Sequence, residues 1–72
     1  MRKQLISEYA GVIYEMQQEI NEGKDFAELR QEISSWLRKL GKKDASRSFA
    51  FIGQAEFTNA YNSIKDEQAV FG

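Results

Sequence analysis

Acid–base chemistry in this chain would have to rest on carboxylates, because the sequence contains neither histidine nor cysteine. Histidine is the commonest general base, and cysteine is the most readily activated nucleophile. Two glutamate pairs are spaced one helical turn apart, Glu15 with Glu19 and Glu28 with Glu32. Both pairs flank or oppose the apolar residues of their segments, so we expect solvent rather than a cleft around them. The sequence therefore predicts that the protein is not an enzyme.

Metal and cofactor sites are also not expected. Structural zinc is held by Cys and His ligands, which the chain lacks. A phosphate-binding loop needs closely spaced glycines, whereas the five glycines here stand far apart along the chain. We predict no cofactor and no bound metal.

A basic cluster surrounds the second connection of the chain. Its members are Arg38, Lys39, Lys42, Lys43 and Arg47. One interpretation is an electrostatic patch for nucleic acid or for an acidic protein. The other is favourable charge at a helix C-terminus followed by a solvated loop. A formal net charge of -1 argues against a protein built mainly to hold phosphate backbones.

The segment around Gly41 can be compared with a helix-turn-helix, since Gly41 would stand at its turn. Three positions disagree with that motif. Lys42 replaces an apolar residue that would fill the core, Leu37 replaces a small residue, and Arg47 replaces a buried aliphatic one. The comparison therefore identifies no family.

Two aromatic residues lie off the apolar stripes of their own segments, Tyr14 and Phe51. At about 100° per residue, Tyr14 points roughly 140° from the centre of its stripe. Phe51 lies nearly opposite Phe49. Aromatic side chains are enriched in the centres of protein interfaces. We therefore predict that one or both lie in a homodimer or partner interface; the alternative is that they are merely exposed or lie under the chain termini.

Three amphipathic segments position these groups. The pattern predicts helices over about 2–22, 25–40 and 45–65, with a tail over 66–72 that frays. Gly23 and Gly41 should end the first two helices. Asp25 should begin the second as its N-cap, with Glu28 completing a capping box. The first stripe contains Leu5, Ile6, Tyr9, Val12, Ile13, Met16 and Ile20, and the second contains Phe26, Leu29, Ile33, Trp36, Leu37 and Leu40.

The third segment is less regular. Its helical face contains Phe49, Ile52, Gly53, Phe57, Ala60, Ile64 and Phe71. Asp44 or Ser46 could cap it, and Gly53 could mark a kink or a close approach of another helix. Residues 46–52 also alternate between polar and apolar side chains, as a strand would. We favour helix, because a lone short strand has nothing to pair with except a second copy of itself.

The segments together predict one all-α domain of 72 residues. It would be a small three-helix bundle, or a helical hairpin that dimerises and buries its stripes between subunits. The central core residues should be Ile13, Ile33, Leu37 and Phe57. No apolar run approaches the roughly 18 residues that a membrane span needs. Ser7 and Glu8 interrupt the apolar run that a signal peptide would need near the N-terminus. We expect a cytoplasmic protein.

The function predicted from these features is protein–protein interaction without catalysis. The chain would act as a small adaptor, inhibitor, regulator or assembly factor. Such compact chains are typical of accessory proteins of bacteria, their phages and other mobile elements. The second hypothesis is a nucleic-acid-binding regulator that uses residues 38–47.

Overall fold

A computed structural model describes the backbone of residues 2–71 and the side chains of residues 2–66. Within residues 2–71 all regular structure is helical, so the all-α prediction is confirmed. The five helices are α1 (Lys3–Glu8), α2 (Ala10–Asn21), α3 (Phe26–Lys39), α4 (Lys43–Phe51) and α5 (Gln54–Phe71). None of them is both long enough and apolar enough to cross a membrane, over the part of the chain that is described.

The first predicted helix is divided at Tyr9, which the sequence did not indicate. Tyr9 has φ -110° and ψ 27°, outside the helical region. Its ring lies edge-on against Phe49, with the centroids 6.0 Å apart and the ring planes at 84°. This contact with α4 joins residues far apart in the sequence, and neither Tyr9 nor its direct neighbours are proline or glycine.

Gly23 and Gly41 end α2 and α3 as predicted, with φ of +103° and +80°. Both ends have the hydrogen bonds of a Schellman motif. At the first, the amide of Gly23 donates to Ile20 O at 3.0 Å and the amide of Lys24 donates to Glu19 O at 3.0 Å. The bonds at Gly41 follow the same pattern.

Asp25 occupies the predicted N-cap position of α3, but the predicted capping bond is absent. Its backbone is extended, and its side chain makes no hydrogen bond to the helix start. The position of the helix start is thus correct, while the capping box was wrong.

The third predicted segment forms two helices, and residues 46–51 belong to α4 rather than to a strand. The break falls at Ile52, whose ψ of 132° is extended. Gly53 follows it with open space where a Cβ would stand, so no helix approaches closely there. Helix α5 continues to Phe71, beyond the end near residue 65 that the pattern indicates. The side chain of Phe71, placed on the stripe by the sequence, lies outside the described residues.

Helix α3 packs against α4, α2 packs against α5, and α1 contacts α2 and α5. A single cluster of buried side chains joins α2, α3, α4 and α5, and partly buried residues of α1 pack against it. Its members are Ile13, Met16, Leu29, Leu37, Ala45, Phe49, Ile52, Phe57, Ala60 and Ile64. Three of the four predicted central residues are fully or almost fully buried. Ile33 is the exception, because it is only partly buried at the edge of this cluster.

Two predicted core residues of α3 are largely exposed, Trp36 at 47% and Leu40 at 55%. The predicted apolar stripe of α3 is wider than the face its neighbours cover, so its flank remains in solvent.

Two pairs of residues form hydrogen bonds between the helices inside the fold, Ser34 with Ser46 and Arg30 with Ile52. The hydroxyl of Ser34 donates to Ser46 O at 2.8 Å, and the hydroxyl of Ser46 donates to Ser34 O at 2.7 Å. Ser46 is therefore a buried packing residue of α4 rather than its cap. Arg30 donates from Nη1 to Ile52 O at 3.0 Å, at the end of α4. Its guanidinium carbon lies 5.7 Å from the centroid of the Phe26 ring.

Candidate functional site: a basic recess beside an exposed aromatic ring

Helix α4 directs Phe51 away from the core. Phe49 on the same helix is fully buried, whereas Phe51 is 81% exposed. Residues two apart on a helix point about 200° apart, so one of the two must face solvent when the other is buried. The structure thus leaves Phe51 outside the core of its own chain, as its spacing predicted.

A recess of about 320 Å³ lies beside Phe51, between α3 and α4. We call it the α3–α4 recess. Ser34 and Ser46 line its buried floor, and Arg38, Lys43 and Arg47 line its exposed rim. Arg47 lies four residues before Phe51, so these two side chains share one face of α4. Two features singled out separately in the sequence, the basic cluster and the unburied ring, therefore meet at one surface.

The basic cluster also borders a second recess of about 550 Å³ between α1 and α4. Lys42, Lys43 and Arg47 line this recess, together with the carboxylates of Glu8 and Asp44. Its charge is mixed. The described lining of the α3–α4 recess, by contrast, contains cations and no carboxylate.

Lys39 completes the predicted cluster but is part of neither recess lining. It is exposed on the last turn of α3. The structure therefore divides the cluster, with Arg38, Lys43 and Arg47 converging on one recess and Lys39 lying apart from it.

Tyr14, the other predicted interface residue, lies on α2 and is 43% exposed. Its ring is 6.2 Å from the ring of Tyr61 on α5, at an angle of 34°. Part of the Tyr14 surface is thus used between two helices of the same chain. Phe51 is the more completely exposed of the two predicted anchors.

Trp36 and Leu40 are surface residues, although their spacing in the sequence predicted that they lie in the core. They are four residues apart on α3 and form an exposed apolar pair beside the core. A helical stripe does not indicate how much of its width the neighbouring helices will cover, so no sequence signal separates these two residues from Leu37.

The two glutamate pairs singled out in the sequence lie mostly in solvent. Glu15, Glu28 and Glu32 are exposed. Glu19 accepts a hydrogen bond from Nζ of Lys24 at 2.9 Å, and this bond and charge raise the pKa of Lys24 above its ordinary value. Within residues 2–66 no three Asp or Glu side chains are grouped as a metal site would require.

Comparison with known proteins identifies no relative of this chain. No protein-family model matches the chain, and no curated protein and no solved structure matches it.

Proposed function

We propose that the protein is a non-enzymatic protein–protein interaction module. The observation that supports this proposal is the 81% exposure of Phe51 on a well-packed helix. Burying an exposed aromatic side chain contributes about 1.5–3 kcal/mol to association. Isolated exposed apolar side chains are common and need no function, whereas larger exposed apolar patches mark binding sites. Phe51 borders a recess rather than standing alone on the surface.

Three further large apolar side chains are exposed on the described surface, namely Tyr14, Trp36 and Leu40. A chain of 72 residues has little apolar surface to spare from its core. Their exposure is therefore a second reason to propose a surface that another protein covers. A second copy of this chain is one form that the partner can take.

Affinity capture from the cell that encodes this chain tests the proposal, with nuclease treatment as the control for bridging nucleic acid. A protein partner that survives the nuclease supports it. Phe51→Ser and Tyr14→Ser should retain the helical circular dichroism spectrum while weakening capture. Analytical ultracentrifugation of the same variants separates self-association from binding of a different protein. Capture that depends on intact nucleic acid would refute the proposal.

A second candidate function is nucleic-acid binding through the basic cluster, all of whose residues are exposed. Phosphate contacts make affinity fall steeply with salt, with a slope set by the number of contacts. The double variant Lys42→Ala, Lys43→Ala should flatten that slope if these residues bind phosphates. We expect no sequence-specific DNA binding at physiological salt, and a nanomolar, sequence-dependent gel shift would reverse the ranking.

A further inference from the structure

We propose that the α3–α4 recess binds a short acidic segment of a partner protein, with one apolar side chain of that segment inserted beside Phe51. This inference rests on the proposed function and specifies the chemistry of the partner. The insertion would place the apolar side chain against Phe51 and Ala50, both of which line the recess. Carboxylates on either side of that apolar residue in the partner segment would pair with Arg38, Lys43 and Arg47.

The first argument is charge. Three cations line the recess, and its described lining contains no carboxylate, although Lys43 and Arg47 also border the mixed-charge recess between α1 and α4. Arginine binds carboxylates through two parallel hydrogen bonds, which gives such a rim both affinity and orientation. The rest of the chain is acidic enough to bring the formal net charge to -1. This local excess of positive charge therefore favours a short acidic segment over a long polyanion, which the rest of the surface would repel.

The second argument is the chemistry of the floor. The hydroxyls of Ser34 and Ser46 already donate to each other's backbone carbonyls. Base edges present hydrogen-bond acceptors as well as donors, and these two hydroxyls have no proton left to donate to a base acceptor. An apolar side chain needs no hydrogen-bond donor from the floor of the recess. The floor thus suits a partner that is recognised by apolar contact inside and by charge at the rim.

The third argument is size. A volume of about 320 Å³ is at the low end of the roughly 300–1,000 Å³ found for ligand pockets. It is enough for one aliphatic or aromatic side chain with its backbone. Phe51 and Arg47 on one face of α4 would then supply the aromatic and arginine contacts that often dominate binding energy at interfaces.

Selection of random peptides displayed on phage against the immobilised 72-residue chain tests this inference without knowledge of the partner. We expect the selected peptides to share an aliphatic or aromatic residue flanked by Asp or Glu. A synthetic peptide with that consensus should bind in a fluorescence anisotropy titration, more weakly as sodium chloride rises. In nuclear magnetic resonance spectra it should shift the backbone amides of Ser46 and Ala50 most.

Matched variants locate the site. Phe51→Ser and Arg47→Ala should each weaken the consensus peptide about tenfold, as expected for central interface residues. Both side chains are exposed, so an unchanged circular dichroism spectrum should accompany the loss. Lys39→Ala is the control, because it removes an exposed charge that lies outside the recess. It should change affinity less than about twofold. Trp36→Ser reports whether the peptide instead binds the exposed pair of Trp36 and Leu40.

Four results would contradict the inference, and they differ in which proposal they leave in place. Selected peptides that lack acidic residues would exclude this recess as the binding site but leave the proposed function in place. An acidic peptide whose binding is lost in Trp36→Ser but not in Phe51→Ser would have the same consequence. An oligothymidine that competes for the same residues and binds more tightly than any peptide would assign the recess to nucleic acid. If the selection enriches no peptide and the chain also captures no protein from its cell, both this inference and the proposed function are refuted.

Discussion

Replacing Ser34 by alanine tests what holds α3 against α4. The hydroxyl of Ser34 makes a buried hydrogen bond of 2.8 Å to Ser46 O. Losing such a bond typically costs about 0.5–1.5 kcal/mol. Alanine has a higher helix propensity than serine, which offsets about 0.5 kcal/mol of this loss. Combining these terms, we expect Ser34→Ala to lower the free energy of unfolding by at most about 1 kcal/mol.

Ser35→Ala is the matched control, because Ser35 is the exposed neighbour on the same helix. It should change only helix propensity and should stabilise the chain by up to about 0.5 kcal/mol. The difference between the two variants then isolates the hydrogen bond, at about 1 kcal/mol. Urea unfolding followed by circular dichroism measures it, and a difference of 1 kcal/mol corresponds to about 4–8 °C in Tm for a domain of this size.

The double variant Ser34→Ala, Ser46→Ala sharpens the test. Each hydroxyl donates to the partner's backbone carbonyl, which alanine retains, so each bond survives loss of the other hydroxyl. The two effects should therefore add within about 0.5 kcal/mol. The two oxygens are also 3.0 Å apart. A coupling above about 1 kcal/mol would show that this direct contact carries the energy, and the reasoning from the carbonyl bonds would be refuted.

The remaining predictions concern stability and are checked by the same urea titrations. Leu37→Ala should cost about 2–5 kcal/mol because its side chain is fully buried, whereas Leu40→Ala, at an exposed site, should cost less than about 1 kcal/mol; equal losses would contradict the packing of α3. Gly41→Ala should destabilise by about 1–2 kcal/mol because its φ is +80°, while Gly11→Ala has open space inside a helix and should stabilise by up to about 1 kcal/mol. Arg30→Met should cost about 1.5–3 kcal/mol through the lost charged bond to the end of α4, and an unchanged midpoint would show that this bond is dispensable.

The helical class of the fold and most of its core residues could be predicted from the sequence, because both follow from the spacing of apolar residues. Apolar residues three and four apart place Ile13, Met16 and Leu37 on inward faces whatever the neighbouring helices are. Gly23 and Gly41 could be placed at helix ends because only a residue without a Cβ adopts positive φ at little cost. The exposure of Phe51 followed in the same way from the position of Phe49 on its helix.

The break at Tyr9 could not be read from the sequence, because Tyr9 is not a helix breaker. The break at Ile52 lies next to Gly53, where the sequence allowed a kink, but it did not decide between a kink and a close approach of another helix. Tyr9 packs on α4, and the carbonyl of Ile52 accepts a bond from Arg30 on α3. These are contacts between segments distant in the sequence, which local propensity does not encode.

For the candidate site, the sequence by itself determined which residues were available: a basic cluster, an aromatic ring off the apolar stripe, and no histidine or cysteine. The tertiary structure decided which of them meet. Packing of α3 on α4 brings Arg38 on one helix to the same recess as Lys43, Arg47 and Phe51 on the other and leaves Lys39 outside. The physical reason is that helical periodicity fixes the direction of a side chain about its own axis, whereas the placement of one helix against another depends on the whole buried core.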